Sequence, residues 1–129
     1  METTLGQLGE SYAQAEYGRQ GFAIVAKNEF NRKGKRLGEI DFIAKNKDKI
    51  IFVEVKTRSA EDGKFGGAAE AVDVFKQRKI LKAVKVYLLR NPIYQQLQPQ
   101  IDVCVVQCDD LDKTPNSVTI ITNAVEDFN

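Results

Sequence analysis

The sequence predicts an α/β fold: a single domain over residues 1–129, with a mixed β-sheet flanked by helices. Three observations predict it. Two segments carry apolar residues at helical spacing, one near the start and one in the middle of the chain. Around them lie runs rich in Ile, Val and Phe that read as strands, giving the order α-β-β-β-α-β-β. No internal repeat, low-complexity block or linker divides the 129 residues.

Each element has its own signal. Residues 3–20 read as a helix, with Leu5, Leu8, Tyr12 and Ala15 at helical spacing and Gly21 as its stop. A second stripe, Glu10, Ala13 and Tyr17, lies on another side of it. Phe22 to Phe30 reads as a strand, and 31–38 as a basic, Gly-containing loop. Leu37 to Ala44 alternates, and Ile50 to Lys56 is β-rich and largely apolar. The polar stretch Lys45 to Lys49 joins them as a hairpin turn. Arg58 to Gly67 is a loop with three glycines. A helix from about Ala71 to Arg90 follows, ended by Asn91-Pro92. Its stripe is Val74, Leu81, Val84 and Leu88, widened by Phe75, Ile80 and Tyr87. After a Gln-rich connection, Ile101 to Val106 and Val118 to Thr122 read as strands, with a turn between them.

Composition prunes the function classes. At 43% hydrophobic and 29% charged residues, the chain has the profile of one soluble domain that buries its own core. No stretch approaches the ~20 apolar residues of a membrane span, and METTLGQLGE lacks the features of a signal peptide. Cys104 and Cys108 are too few for a disulfide framework, so reduced thiols and a cytoplasmic setting are expected. The absence of histidine excludes imidazole bases and, with two cysteines, a four-ligand structural zinc site. Any catalysis must then rest on carboxylates, lysines and hydroxyls, with or without a hard metal ion.

The formal net charge of +1 conceals an asymmetry. Residues 1–100 hold 18 of the 19 basic and 12 of the 18 acidic residues, a net +6, and residues 101–129 carry a net −5. The bases cluster at Lys27, Arg32, Lys33, Lys35 and Arg36, and again at Lys76, Arg78, Lys79, Lys82, Lys85 and Arg90. Such clusters suit a polyanion, but taken alone they favour a pair of solvated faces.

The chemistry-bearing pattern sits on the hairpin. In Glu39-Ile40-Asp41 two acids alternate with an apolar residue, and in Glu54-Val55-Lys56 a carboxylate and an ammonium do the same. A turn centred on Lys47-Asp48 sets residues summing to 95 opposite one another, Asp41 facing Glu54 and Glu39 facing Lys56. Carboxylates at that separation repel unless they share a proton or chelate a cation. All-oxygen ligands, with the Val55 carbonyl as a further donor, call for Mg²⁺ or Mn²⁺. Lys56, one pleat on, can orient a water or offset charge on a phosphoryl group, which suits phosphodiester hydrolysis. A Glu-x-Lys strand is also common as a solvent face, and on the residues alone the two readings stand level.

The strings GEIDFIA, IIFVEVKTRS and FGGAAEAVDVFKQRKI, with Gly9-Glu10, Gly21-Phe22, Asn28 and Ile101-Asp102-Val103, resemble the YraN-like family. That family in turn resembles the PD-(D/E)XK nuclease superfamily, which includes the archaeal Holliday-junction resolvases. The resemblance implies a restriction-endonuclease-like α-β-β-β-α-β core, here with an extra C-terminal strand. It casts Asp41 as the motif aspartate, Glu54 and Lys56 as the (D/E)XK element, and Glu10 as the acid from the first helix. It also implies an accessory polar role for Gln77 and a phosphate contact by Lys79, and the basic Lys76 and Arg58 are expected to join them in contacting nucleic acid. Ile40 stands where the superfamily has proline. The stretch from Asn28 to Glu39 is a few residues longer than the family pattern, with Arg32, Lys33, Lys35 and Arg36 as a phosphate-binding loop. The expectation is a metal-dependent nuclease acting on DNA, on branched or damaged duplexes, working as a symmetric pair of chains. The alternative is a non-catalytic nucleic-acid-binding module that acts through a partner, and the third is a plain interaction domain. Asp102 receives no catalytic role.

Overall fold

The computed structural model describes residues 5–27, 40–59, 74–109 and 115–125. In chain order they form α1 (Leu5–Arg19), β1 (Ala23–Lys27), β2 (Phe42–Lys45), β3 (Lys49–Ser59), α2 (Val74–Arg90), a 3₁₀ turn (Pro92–Tyr94), β4 (Gln98–Cys108) and β5 (Pro115–Val125). The five strands make one sheet in the order β1-β2-β3-β4-β5. Only β3 and β4 run parallel; the other neighbours are antiparallel. A parallel pair needs a crossover, and α2 supplies it. The mixed sheet between helices, with a strand added after the α-β-β-β-α-β core, is the architecture the sequence predicts.

The sheet separates two apolar clusters. On one side Ile43, Ile50, Phe52 and Ile101 pack against Ile80, Ala83 and Val84 of α2. On the other Phe42, Ala44, Ile51, Val53, Cys104 and Val106 pack against Ala13 and Tyr17 of α1. Tyr12, Phe22 and Tyr87 are partly buried against these clusters, so they serve the core. Cys104 and Cys108 are free and buried, and burial pushes the Cys104 thiol up to about 12. It is therefore not a nucleophile at neutral pH.

The buried stripe of α1 is Gly9, Ala13 and Tyr17. The larger stripe of the sequence reading, Leu5, Leu8 and Tyr12, is only half-buried, and Ala15 is exposed. Small residues at i and i+4 let the helix lie close to the sheet, so the close contact goes to the less hydrophobic face. At Gly9 the approach is extreme: a Cβ there would overlap the Thr57 hydroxyl of β3. The far end closes in a Schellman motif. Gly21 has φ 93°, the Phe22 amide donates to the Tyr17 carbonyl at 3.0 Å, and Gly21 donates to Gly18 at 3.1 Å. The Phe22 ring meets the Tyr17 ring edge-on at 5.8 Å and completes it.

Strands outrun their sequence signals where the sheet captures polar residues. β4 extends from Gln98 to Cys108 because β3 pairs with it residue by residue along eleven positions. Part of the expected Gln-rich connection is thus strand, since a ladder's main-chain bonds are indifferent to side-chain polarity. β1 is described over Ala23–Lys27, and the rest of the strand expected to Phe30 lies among residues 28–39, outside the described part of the chain.

Asp102, 1% exposed on β4, is the polar anchor of the α1 side. Its carboxylate accepts hydrogen bonds from the Tyr17 hydroxyl (2.6 Å), the Gln100 side-chain amide (2.9 Å) and the Asn123 main chain (3.1 Å). The last bond explains a distortion of β5. Ile101 pairs with Val125 and Val103 with Ile121, leaving residues 122–124 opposite Asp102 alone. Asn123 takes φ 52° at this bulge, a left-handed conformation that asparagine tolerates better than most residues. Asp102→Ala should lower stability by about 3 kcal/mol, because it leaves buried donors without an acceptor. Tyr17→Phe should cost about 1–1.5 kcal/mol through the one bond it removes. Urea unfolding followed by circular dichroism measures both, and equal losses would contradict this account.

Candidate functional site

The β2–β3 hairpin has the anticipated register. Phe42 pairs with Val53, Ile43 with Phe52, Ala44 with Ile51 and Lys45 with Ile50, every pair summing to 95. The turn is held by Asn46, whose side-chain oxygen accepts from the Asp48 and Lys49 amides at 2.9 and 2.7 Å. At the other end the ladder stops sooner than the alternating sequence suggests. β2 begins at Phe42, so Asp41 precedes the strand, and Glu39 lies outside the described residues.

The chain leaves the regular pleat at this point. Ile40 and Ile43, three positions apart, both pack in the α2-side cluster, so alternation breaks between them. The Asp41 amide donates to the Val53 carbonyl at 2.8 Å. Its carboxylate then accepts the Val55 amide of β3 at 2.7 Å. An acidic side chain thereby replaces a main-chain carbonyl as the partner of a strand amide, a charge-assisted bond that fixes the carboxylate beside β3.

Glu10 reaches the same place from α1, and its carboxyl is in hydrogen-bond contact with that of Asp41. Burial and the neighbouring Asp41 charge push the Glu10 carboxyl up to about 7, from an ordinary 4.5. The close seat of Gly9 against Thr57 delivers it, because Glu10 is the next residue of the helix.

A second pair flanks Val55 on β3. The Lys56 ammonium lies 2.9 Å from Glu54 Oε1, with side-chain exposures of 17% and 2%. Alternation along β3 places both on the face that carries Phe52, opposite to Val53 and Val55. The described acids thus form two pairs next to Val55, Glu10 with Asp41 on the α1 side and Glu54 with Lys56 on the α2 face. Asp41 does not face Glu54 across the hairpin as the register predicts, because its amide bonds the Val53 carbonyl, the register slips by one and its carboxylate meets the Val55 amide. Among the described residues no three His, Cys, Asp or Glu side chains are grouped closely enough to hold a metal ion as they stand. The donor set still fits a hard cation: its acidic groups offer only oxygens, and two carboxyls pressed together shed repulsion by taking up positive charge.

The expected nucleic-acid contacts divide into three sets. Gln77 is half-buried and Lys79 exposed on α2, where Arg78, Lys82 and Lys85 are exposed as well. Arg58 is half-buried near the end of β3 and donates to the Thr57 carbonyl at 3.3 Å. Arg32, Lys33, Lys35, Arg36 and the side chain of Lys76 lie outside the described residues. Asp102, given no catalytic role, fixes the β4–β5 pairing from inside the core. An acid inside the apolar run IDVCVV signals a buried carboxylate in need of donors, and three neutral donors meet it.

Comparison with known proteins places this geometry in context. Residues 9–106 match the model of the uncharacterised protein family UPF0102. A UPF0102 protein of Caldanaerobacter subterraneus is 40% identical over 121 residues, covering 94% of this chain and 93% of that protein. One from Clostridium botulinum is 35% identical over 122 residues, covering 95% and 94%. One from Colwellia psychrerythraea is 36% identical over 123 residues, covering 95% and 88%. No helix among the described residues is long and apolar enough to cross a membrane.

The carboxyl pair makes stability depend on pH in a defined direction. Glu10 holds its proton more tightly folded than unfolded, so between about pH 4.5 and 7 unfolding releases a proton. Stability therefore falls as pH rises through that window when no divalent cation is present. Glu10→Gln should remove this component, so the variant gains on the parent as pH rises from 5 to 7.5. Urea titrations in chelator at three pH values read the difference, and parallel pH profiles would refute the pairing.

Proposed function

This chain belongs to the UPF0102 family, the YraN-like family its motifs resemble, and we propose that it is a metal-dependent nuclease hydrolysing DNA phosphodiester bonds. The observation that carries the proposal is that Asp41, in contact with Glu10, is bonded to the amide of Val55, the residue between Glu54 and Lys56 on β3. A buried acid, two acids in contact and a lysine, with no histidine in the chain, match the needs of phosphoryl chemistry better than those of acyl or redox chemistry.

In this reading Glu10, Asp41, Glu54 and the Val55 carbonyl are the groups that would hold Mg²⁺ or Mn²⁺. The ion supplies charge neutralisation at the phosphate and lowers the pKa of a water. The protein's own part is positional. Asp41 is held by the Val55 amide, so its carboxylate does not swing when substrate arrives. Lys56 orients the attacking water and offsets the charge that develops on the phosphate oxygens. The exposed Arg78, Lys79, Lys82 and Lys85 of α2 form a basic helix surface for the sugar–phosphate backbone. A branched substrate requires two cuts, which a symmetric pair of chains would supply. A cytoplasmic setting accords with two buried, free cysteines.

A second reading, a nucleic-acid-binding module without catalysis, draws support from the absence of a ready three-acid group among the described residues. One experiment separates the two. Junction, flap, single-stranded and duplex DNA are incubated with the protein in Mn²⁺, with Asp41→Ala and Lys56→Ala as controls. Cleavage should appear with the parent and fall at least about 100-fold in each variant. Cleavage that survives both substitutions would belong to a contaminant, and salt-sensitive binding without cleavage would favour the second reading. For binding itself, Lys79→Glu should weaken affinity on every DNA and lower the salt slope by about 1.

A further inference from the structure

Lys56 has two tasks in this site that cannot be performed together. Glu54 is 1% exposed, and a carboxylate so placed needs a positive partner. The Lys56 ammonium provides it at 2.9 Å. An ammonium held there is committed to Glu54, whereas attending a water and a phosphate requires it to turn toward them. The lysine stem is long and flexible enough for either position. Meanwhile the carboxyls of Glu10 and Asp41 lie in contact, and Asp41 also accepts the Val55 amide. The ion pair of Lys56 is to Glu54.

We propose that Lys56 is the resident substitute for the divalent cation: its ammonium occupies Glu54 in the metal-free protein and is displaced when the cation loads. Loading is then an exchange of one positive group for another at Glu54. The lysine reaches the water and phosphate only after the cation has taken its place. Lys56 would thus change from a structural counter-ion of Glu54 to a working group once a divalent cation replaced it there. The inference rests on the cation-dependent reading of the site.

Two measurements on the whole protein test it, neither of them activity. Mn²⁺ binding is followed by the electron paramagnetic resonance signal of the unbound ion, for the parent, Lys56→Met and Glu54→Gln. Binding should tighten about tenfold in Lys56→Met, since no ammonium must be displaced, and weaken at least about tenfold in Glu54→Gln. In parallel the parent is acetylated with an N-hydroxysuccinimide ester, with and without saturating Mn²⁺, and each lysine is quantified by peptide mass spectrometry. Lys56 should react about tenfold faster with Mn²⁺, when its contact to Glu54 is released, while exposed Lys79 stays constant. The labelling arm uses unaltered protein, so it remains informative if Lys56→Met does not fold. Mn²⁺ binding with unchanged or slower Lys56 labelling overturns the exchange and leaves the cation site standing. Binding untouched by Glu54→Gln overturns it too, because Glu54 is then not the seat. No Mn²⁺ binding by any of the three proteins removes the cation reading itself.

Discussion

The hydrogen bond from the Val55 amide to the Asp41 carboxylate is the constraint on which the candidate site depends. β2 is only four residues long and β3 is eleven, so β3 runs on past the end of its antiparallel neighbour. A main-chain amide in that position needs an acceptor, and leaving it without one in a half-buried setting costs about 1–3 kcal/mol. Asp41 meets the need with a charged side chain. One interaction therefore ends the ladder, satisfies β3 and fixes a carboxylate at a definite point beside it. A neutral residue at 41 would lose the charge-assisted bond as well as the acid, so structure and chemistry share one side chain.

What faces Asp41 is governed by how α1 sits on the sheet. Its N-terminal half rests on the contact of Gly9 with Thr57, and its C-terminal half is tied by Tyr17 to Asp102. The tyrosine ring also packs edge-on against Phe42 at 5.5 Å, the first residue after the strand departs from Asp41. The helix is thus located against β2, β3 and β4 together, and Glu10 inherits that location. The acid–acid contact is a consequence of packing several residues away, which is how an unfavourable pair is sustained in a folded protein. The α2 side contributes differently: Tyr87 stacks on Tyr94 and meets Phe52 edge-on, anchoring the crossover that returns the chain to β4.

Much of this was legible beforehand. The hairpin register followed from the length of the polar turn, and the element order from periodicity, because both depend on local sequence. The acids and the lysine around Val55 were visible for the same reason. Three features were hidden. The buried face of α1 is written largely in glycine and alanine, which carry little hydrophobic signal, so nothing in the sequence ranks it above the leucine stripe. The reach of β4 over Gln98 and Gln100 comes from the strand beside it and leaves no trace in its own side chains. The division of the site into two pairs arises because Asp41 breaks the two-residue alternation, a departure set by tertiary contact at Ile40 and Ile43.

The positions of the irregularities also bear on how the protein behaves at high concentration. β1 shifts register between Ile24 and Ala26, and β5 does so around Asn123 and again near Cys108, whereas the ladders of β2 with β3 and β3 with β4 are regular throughout. The faults fall on the two outermost strands of the described sheet. β5, PNSVTIITNAV, carries no charged side chain and so lacks the usual electrostatic guard against stacking onto other chains. A kink locked by a buried aspartate serves that purpose instead, because a bent border makes a poor template for fibril growth. The carboxylate that holds the bulge in place thereby also helps to keep the molecule dispersed.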